Sequence, residues 1–170
     1  PRDGLISQII KTLQYSSLHN GWINKIGLRN SGIDYGIIKY KPNNILSLAI
    51  LDSHRDIKYF NDQIPKNANI EINISCPNAQ VQFPQEVKNM VNEERKWCNA
   101  KLYPLEKTSQ IDKLYEMGFR QFHCCNTYPL ALGGLSGPFL VPFVEEKIRY
   151  IKNKYKDCEV IAGGGIQNIG

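Results

Sequence analysis

Apolar and polar positions alternate with period two over residues 70–75, where Ile70, Ile72 and Ile74 share one side and Glu71, Asn73 and Ser75 the other. β-Branched residues in that pattern predict a strand. It stops at Cys76-Pro77-Asn78, because Pro77 cannot donate to a ladder and drives Cys76 towards extended backbone. Similar apolar runs predict strands over residues 4–13, ending near Lys11-Thr12, and over 45–51, 100–102, 119–125 and 160–162. Helical spacing predicts helices over 32–40, 52–63, 84–99, 108–117 and 141–155, with Pro84 suited to a first turn and Gly118 to a C-terminal cap. Residues 15–21 read as a polar turn, 22–30 as a loop in which Gly27 permits close backbone approach, and 126–137 as a long glycine-bearing loop.

Strands that alternate with helices predict an α/β fold on a parallel sheet. Polar or glycine-rich groups recur just after successive strands: Lys11, Asn73 to Asn78, Lys101, Asn126-Thr127 and Gly163-Gly164-Gly165. An open, doubly wound sheet would gather only the pair at its switch point, whereas a sheet that curls into a barrel would bring all of them to one rim. The expected fold is therefore a partial (β/α)8 TIM barrel, with about six of eight βα units present. A complete barrel needs roughly 200–250 residues, so the 170 residues are expected to be one barrel domain, 1–170, without its first and last units.

Composition narrows the partners. The chain is 42% hydrophobic and 22% charged, as in ordinary globular proteins. Its net charge of +5 is scattered, and the densest basic cluster, residues 147–156, has helical spacing and reads as a solvated face. No nucleic-acid partner is expected. No apolar run approaches the ~18 residues of a membrane span, and no signal peptide is visible, although the sequence starts at Pro1. Five cysteines without a Cys-x-x-Cys pair, and three dispersed histidines, give no metal site. They point to reduced thiols and a cytoplasmic setting, with Cys98, Cys124, Cys125 and Cys158 as small buried hydrophobes.

The remaining residues carry candidate chemistry. Lys11 and Lys101 end apolar strands, where a lysine is unfavourable unless it faces an anion or polar ligand. Such a charge would stabilise negative charge building on a reduced heterocycle. Asn24, Asn73, Asn78 and Asn126 both donate and accept, which suits a flat heterocycle; singly, each is a turn former. The glycines at 163–165, after a strand, suit a phosphate, and those from Gly133 to Gly137 would let backbone pass close to a planar ligand. Cys76 is the candidate base or nucleophile. No histidine stands at a spacing that pairs it with Cys76, and His123 reads as a core residue.

Taken in order, Ile23-Asn24-Lys25-Ile26-Gly27-Leu28-Arg29-Asn30, Asn73-Ile74-Ser75-Cys76-Pro77-Asn78, Lys101-Leu102-Tyr103-Pro104, Asn126-Thr127, the glycines from Gly133 to Gly137, and Gly163-Gly164-Gly165-Ile166 resemble dihydroorotate dehydrogenase. The resemblance implies an FMN enzyme on a (β/α)8 barrel that oxidises dihydroorotate to orotate in de novo pyrimidine (UMP) biosynthesis. It implies that Cys76 removes the C5 proton while hydride passes from C6 to flavin N5, a cysteine there matching soluble class 1 enzymes. By the same resemblance Lys11, Thr12, Asn73, Lys101, Cys125, Gly137, Gly164 and Gly165 would hold FMN, with Lys11 between flavin and substrate. Lys11, Asn24, Lys25, Ile26, Gly27, Leu28, Asn73, Asn78, Asn126 and Thr127 would hold the substrate. The electron acceptor stays open among fumarate, a quinone and a partner subunit, and a homodimer is one assembly open to the chain. The sequence departs from the family in a shortened stretch between Cys76 and Lys101, and in lacking the first strand's small residues and the last glycine turn. Two alternatives stand beside this reading. One is a related FMN barrel acting on another pyrimidine, since Gly-Gly-Leu-Ser-Gly-Pro also resembles dihydropyrimidine dehydrogenase. The other is a barrel fragment without catalysis.

Overall fold

The computed structural model describes residues 12–27, 30–74 and 84–167. Among them the chain runs β1 (Leu13–Ser16), β2 (Gly21–Asn24), α1 (Ile33–Lys39), β3 (Leu46–Ala49), α2 (Ser53–Gln63) and β4 (Ile70–Asn73). A 3-10 helix (Gln85–Met90) precedes β5 (Cys98–Lys101), α3 (Thr108–Glu116), β6 (Gln121–Cys124), β7 (Tyr128–Leu130) and β8 (Gly133–Ser136). A short 3-10 turn (Pro138–Leu140) leads into α4 (Val141–Lys154) and β9 (Glu159–Ala162). The structure is mixed α/β. Strands β3-β4-β5-β6-β9 form a parallel sheet in chain order, with β3 and β9 at its edges, and β1-β2-β8-β7 form a second, antiparallel sheet.

Alternation gives the parallel sheet two unlike faces. Leu48, Ile70, Ile72, Cys98, Ala100, Phe122 and Cys124 point one way and are buried. They pack with Ile57, Phe60 and Ile64 of α2, Val87 and Met90 of the 3-10 helix, Ile111 and Leu114 of α3, and Val144 and Ile151 of α4. Truncating one of these isoleucines to alanine removes about 2–5 kcal/mol of stability. The opposite face carries Ser47, Glu71, Asn73, Asn99, Lys101, Gln121 and His123, in register from strand to strand. A parallel sheet whose strands are covered on both sides normally shows continuous apolar runs; these strands do not.

Local chemistry sets the helix ends. The Asp52 side chain accepts from Arg55 N at 3.1 Å, and Asp56 accepts from the backbone N–H of Leu51 and Asp52, which caps α2. Gly118 closes α3 at φ +103°, in the left-handed region a glycine adopts without strain.

The structure differs from five expectations. Residues 84–99 are not one helix: the Asn92 side chain accepts from Glu94 N at 3.0 Å in a local turn. The buried Arg95 guanidinium donates to the carbonyls of Met90, Pro65 and Ala68, so side-chain bonds replace a helical ladder there. The stretch read as a loop from residue 22 begins as β2, and the stretch 126–137 holds the β7–β8 hairpin, which pairs with β2. The turn expected at 15–21 is narrower, since Tyr15 and Ser16 belong to β1. Finally, Lys147 is not on a solvated face: it is 4% exposed, and its ammonium donates to the Pro104 carbonyl. The strand expected over residues 4–13 falls almost wholly outside the described residues.

Candidate functional site at the carboxyl ends of the parallel strands

Parallel strands deliver their carboxyl ends to one side, and there the structure joins several of the expected residues. Asn73 ends β4 and Lys101 ends β5, while Cys125-Asn126-Thr127 follows β6. Asn126 Nδ2 donates to Asn73 Oδ1 at 3.1 Å, and Thr127 N donates to Asn126 Oδ1 at 2.9 Å. Asn126 N donates in turn to the Leu102 carbonyl. Thr127 lies against Gly134, where an added Cβ would sit 2.3 Å from the threonine hydroxyl. Asn24 Nδ2 donates to the Gly134 carbonyl at 3.1 Å. Hydrogen bonds thus join Asn73, Asn126 and Thr127, and Asn24 and Thr127 meet at Gly134, so that these four polar residues run as a string across both sheets.

The glycine turns adjoin that string. Cys125 N donates to the Gly163 carbonyl, and Gly163 N donates to the Cys124 carbonyl. Gly164 lies against Cys125 and Leu140, and a Cβ on Gly165 would meet the Gly137 carbonyl at 2.6 Å. Gly137 therefore abuts the 163–165 turn at the entry to α4, and Gly164 and Gly165 have φ of +97° and +79°. The glycines of β8 also allow close packing within the chain itself. A Cβ on Gly133 would sit 2.3 Å from the Asn24 carbonyl, so glycine there permits β8 to approach the chain's own backbone.

Beneath the string lies a charged cluster. Glu71 Oε2 is 2.7 Å from His123 Nδ1, and Glu71 Oε1 is 3.5 Å from Lys101 Nζ and accepts from Ser47 Oγ at 3.3 Å. One carboxylate so connects β3, β4, β5 and β6. Burial pushes the Glu71 carboxyl up, but the His123 hydrogen bond and the Lys101 charge, helped by Ser47, outweigh it and hold the pKa below the ordinary glutamate value. The anion that Lys101 was expected to face includes this side chain of the protein itself. His123, expected in the core, instead stands on the polar face with a fifth of its side chain exposed. In the layer with Glu71, Asn99 is wholly buried, and among the described residues neither of its amide atoms has a hydrogen-bond partner. Glu71 and His123 are site residues that the sequence signals only as a glutamate and a histidine at polar positions of two strands with one strand between them.

The other expected residues are distributed as follows. Thr12 N-terminally flanks β1, and its carbonyl accepts from Lys25 N at 2.8 Å. Lys25, Ile26 and Gly27 are exposed after β2, with Gly27 at φ +71°. Lys11, Leu28, Cys76 and Asn78 lie outside the described residues. Burial pushes the Cys124 thiol up to about 12 and the Cys125 thiol up to about 11, which makes both poor nucleophiles. No group of three or more His, Cys, Asp or Glu among the described residues is arranged to hold a metal ion.

Fold and site together define an α/β protein with a polar, glycine-bordered surface at the carboxyl ends of its parallel strands, where such proteins take their ligands. Comparison with known sequences gives that class a kinship. The catalytic subunit of dihydroorotate dehydrogenase B (NAD(+)) from Thermotoga petrophila is 26% identical over 86% of this chain and 64% of its own length. The same subunit from Petrotoga mobilis is 28% identical over 87% of this chain and 60% of its own length. A Streptococcus agalactiae protein provisionally named dihydroorotate dehydrogenase A (fumarate) is 25% identical over 91% of this chain and 63% of its own length. The chain is a distant relative of the dihydroorotate dehydrogenases. It spans somewhat under two thirds of the length of these relatives. No protein-family model matches it.

Proposed function

We propose that this chain is the FMN- and substrate-binding part of a dihydroorotate dehydrogenase, converting dihydroorotate to orotate in pyrimidine (UMP) biosynthesis. The observation that carries the reading is the polar string Asn24–Thr127–Asn126–Asn73 at the carboxyl ends of parallel strands, bordered by abutting glycine turns. The relatives' names supply the substrate and the reaction. On this reading the five parallel strands are consecutive strands of a (β/α)8 barrel, and residues 1–170 act as one domain.

The donor set suits FMN. Gly137, Gly164 and Gly165 bring backbone close together, and a Cβ at Gly165 would drive into the Gly137 carbonyl, so only glycine keeps the phosphate turn compact. Lys101 presents a cation beside Asn73, as a flavin's electron-rich edge requires. Thr12, Lys11 and the Cys125 backbone complete the cofactor's contacts. When bound, FMN accepts the hydride.

The chain's own residues do the rest. Asn24, Asn73, Asn78, Asn126 and Thr127 orient the planar substrate through carboxamide and hydroxyl pairs, with Lys25, Ile26, Gly27 and Leu28 on the loop beside it. Cys76 takes the proton from C5, which needs a thiolate and therefore a setting unlike that of the four buried cysteines. Lys11 and Lys101 hold positive charge where negative charge builds. The acceptor that reoxidises the protein is fumarate, a quinone or a partner subunit. Among the described residues no helix is long and apolar enough to cross a membrane.

The test is an absorbance scan of the purified chain followed by anaerobic substrate. A flavin band bleached by dihydroorotate but not by dihydrouracil supports the reading. Bleaching by dihydrouracil alone points to another pyrimidine, and absence of any flavin band after reconstitution points to a fragment without catalysis. Cys76→Ala should keep the band and lose the bleaching; fast bleaching in that variant removes Cys76 from the base role.

A further inference from the structure

The Glu71–His123 pair is not absorbed by the roles above. Glu71 is held ionised by its partners, and an ionised carboxylate only accepts, so His123 carries its proton on Nδ1. In the neutral imidazole with its proton on Nδ1, Nε2 presents a lone pair; it has no hydrogen-bond partner among the described residues, and a fifth of the side chain is exposed. Its direction is recorded by Gly163: a Cβ there would lie 2.2 Å from His123 Nε2 and 2.9 Å from its Cδ2. The acceptor nitrogen is thus turned towards the start of the glycine turn after β9.

Strand order converts this into a position along a ligand. Lys101 ends β5, His123 sits on β6, and the 163–165 turn follows β9, its neighbour. If Lys101 serves the ring edge and Gly164-Gly165 the phosphate, His123 lies between the two. The part of FMN between ring and phosphate is the ribityl chain, whose hydroxyls are hydrogen-bond donors. An imidazole acceptor matches a hydroxyl; a phosphate would need a donor.

We propose that His123 Nε2 accepts a hydrogen bond from a ribityl hydroxyl of the bound flavin, and that Glu71 is the positioning residue that fixes the imidazole in the required tautomer and orientation. The inference rests on the FMN reading. Ser47 and Lys101 brace the Glu71 carboxylate from either side, and Gly163 keeps the approach to Nε2 clear.

The experiment measures binding of three probes to the flavin-free full chain: FMN, riboflavin, and lumichrome, which has the ring without the ribityl chain. His123→Phe should weaken FMN and riboflavin about fivefold each, the worth of one neutral hydrogen bond, and leave lumichrome unchanged. His123→Gln, whose carboxamide can accept, should recover most of that loss. Nitrogen-15 spectra of the imidazole should show the proton on Nδ1 in the wild type and a mixed tautomer in Glu71→Gln, a signature that a merely structural glutamate would not move. Equal weakening of all three probes, weakening of FMN alone, or no weakening overturns the ribityl contact while the FMN reading stands. An unchanged tautomer in Glu71→Gln overturns its positioning role. A wild type that binds no FMN overturns the functional reading and this inference with it.

Discussion

The Asn126 carboxamide donates to the Asn73 carboxamide across 3.1 Å, linking two strand ends that are not neighbours, since β5 lies between β4 and β6. The bridge passes over the end of β5, where Lys101 sits. Replacing Asn126 by leucine removes the bridge and the acceptor for Thr127 N together. The expected outcome is dihydroorotate-driven flavin bleaching slowed at least about tenfold, with a melting temperature only about 2–4 °C lower. Stopped-flow absorbance and thermal unfolding of the same preparation check it.

Gly163 and His123 should be coupled. Gly163→Ala places a methyl against an imidazole that cannot retreat easily, because Nδ1 is tied to Glu71. Overpacking of this kind destabilises by about 1–3 kcal/mol. In a His123→Ala background the same change should be close to neutral, and the double-mutant cycle by urea unfolding should return a coupling of about 1 kcal/mol or more.

Glu71 predicts an acid limb. Its native pKa is depressed below the ordinary 4.5, so its contribution to stability is complete above about that pH and fades as pH falls through the native value. Glu71→Gln should flatten the pH dependence of the urea midpoint below the ordinary glutamate value of 4.5 relative to wild type. Unfolding curves collected across that window provide the check.

Four thiols should be silent. Burial pushes Cys98 and Cys124 up to about 12 and Cys125 and Cys158 up to about 11, and all four are under a tenth exposed. Brief iodoacetamide treatment at pH 8 should leave them unmodified in the native protein and alkylate all four in urea. Peptide mass mapping reads the result.

Strands β4 and β6 were legible because each carries its own periodic pattern: the isoleucines of β4 and the Phe122 and Cys124 of β6 alternate with polar residues whatever lies elsewhere. The antiparallel sheet was not. Gly133-Gly134-Leu135-Ser136 has no strand propensity, and it becomes β8 because β2 lies alongside it, with glycine demanded by the 2.3 Å approach to the Asn24 carbonyl. Residues 84–99 have helical spacing, yet the bonds of Arg95 to distant carbonyls override it. At the site, single asparagines, lysines and glycines could be marked one by one. The pairing of Glu71 with His123 could not, because 52 residues separate them and only strand order makes them close.

The partnership of β2 with β8 has a kinetic corollary. Each parallel strand can dock on its predecessor after a local crossover, whereas the Asn24–Gly134 contact closes a span of 110 residues. Loop-closure entropy puts such a contact late, so refolding should raise the charged floor of Glu71, Lys101 and His123 first and lower its antiparallel roof last. The capacity to discriminate one pyrimidine from another would then be the final property the molecule regains.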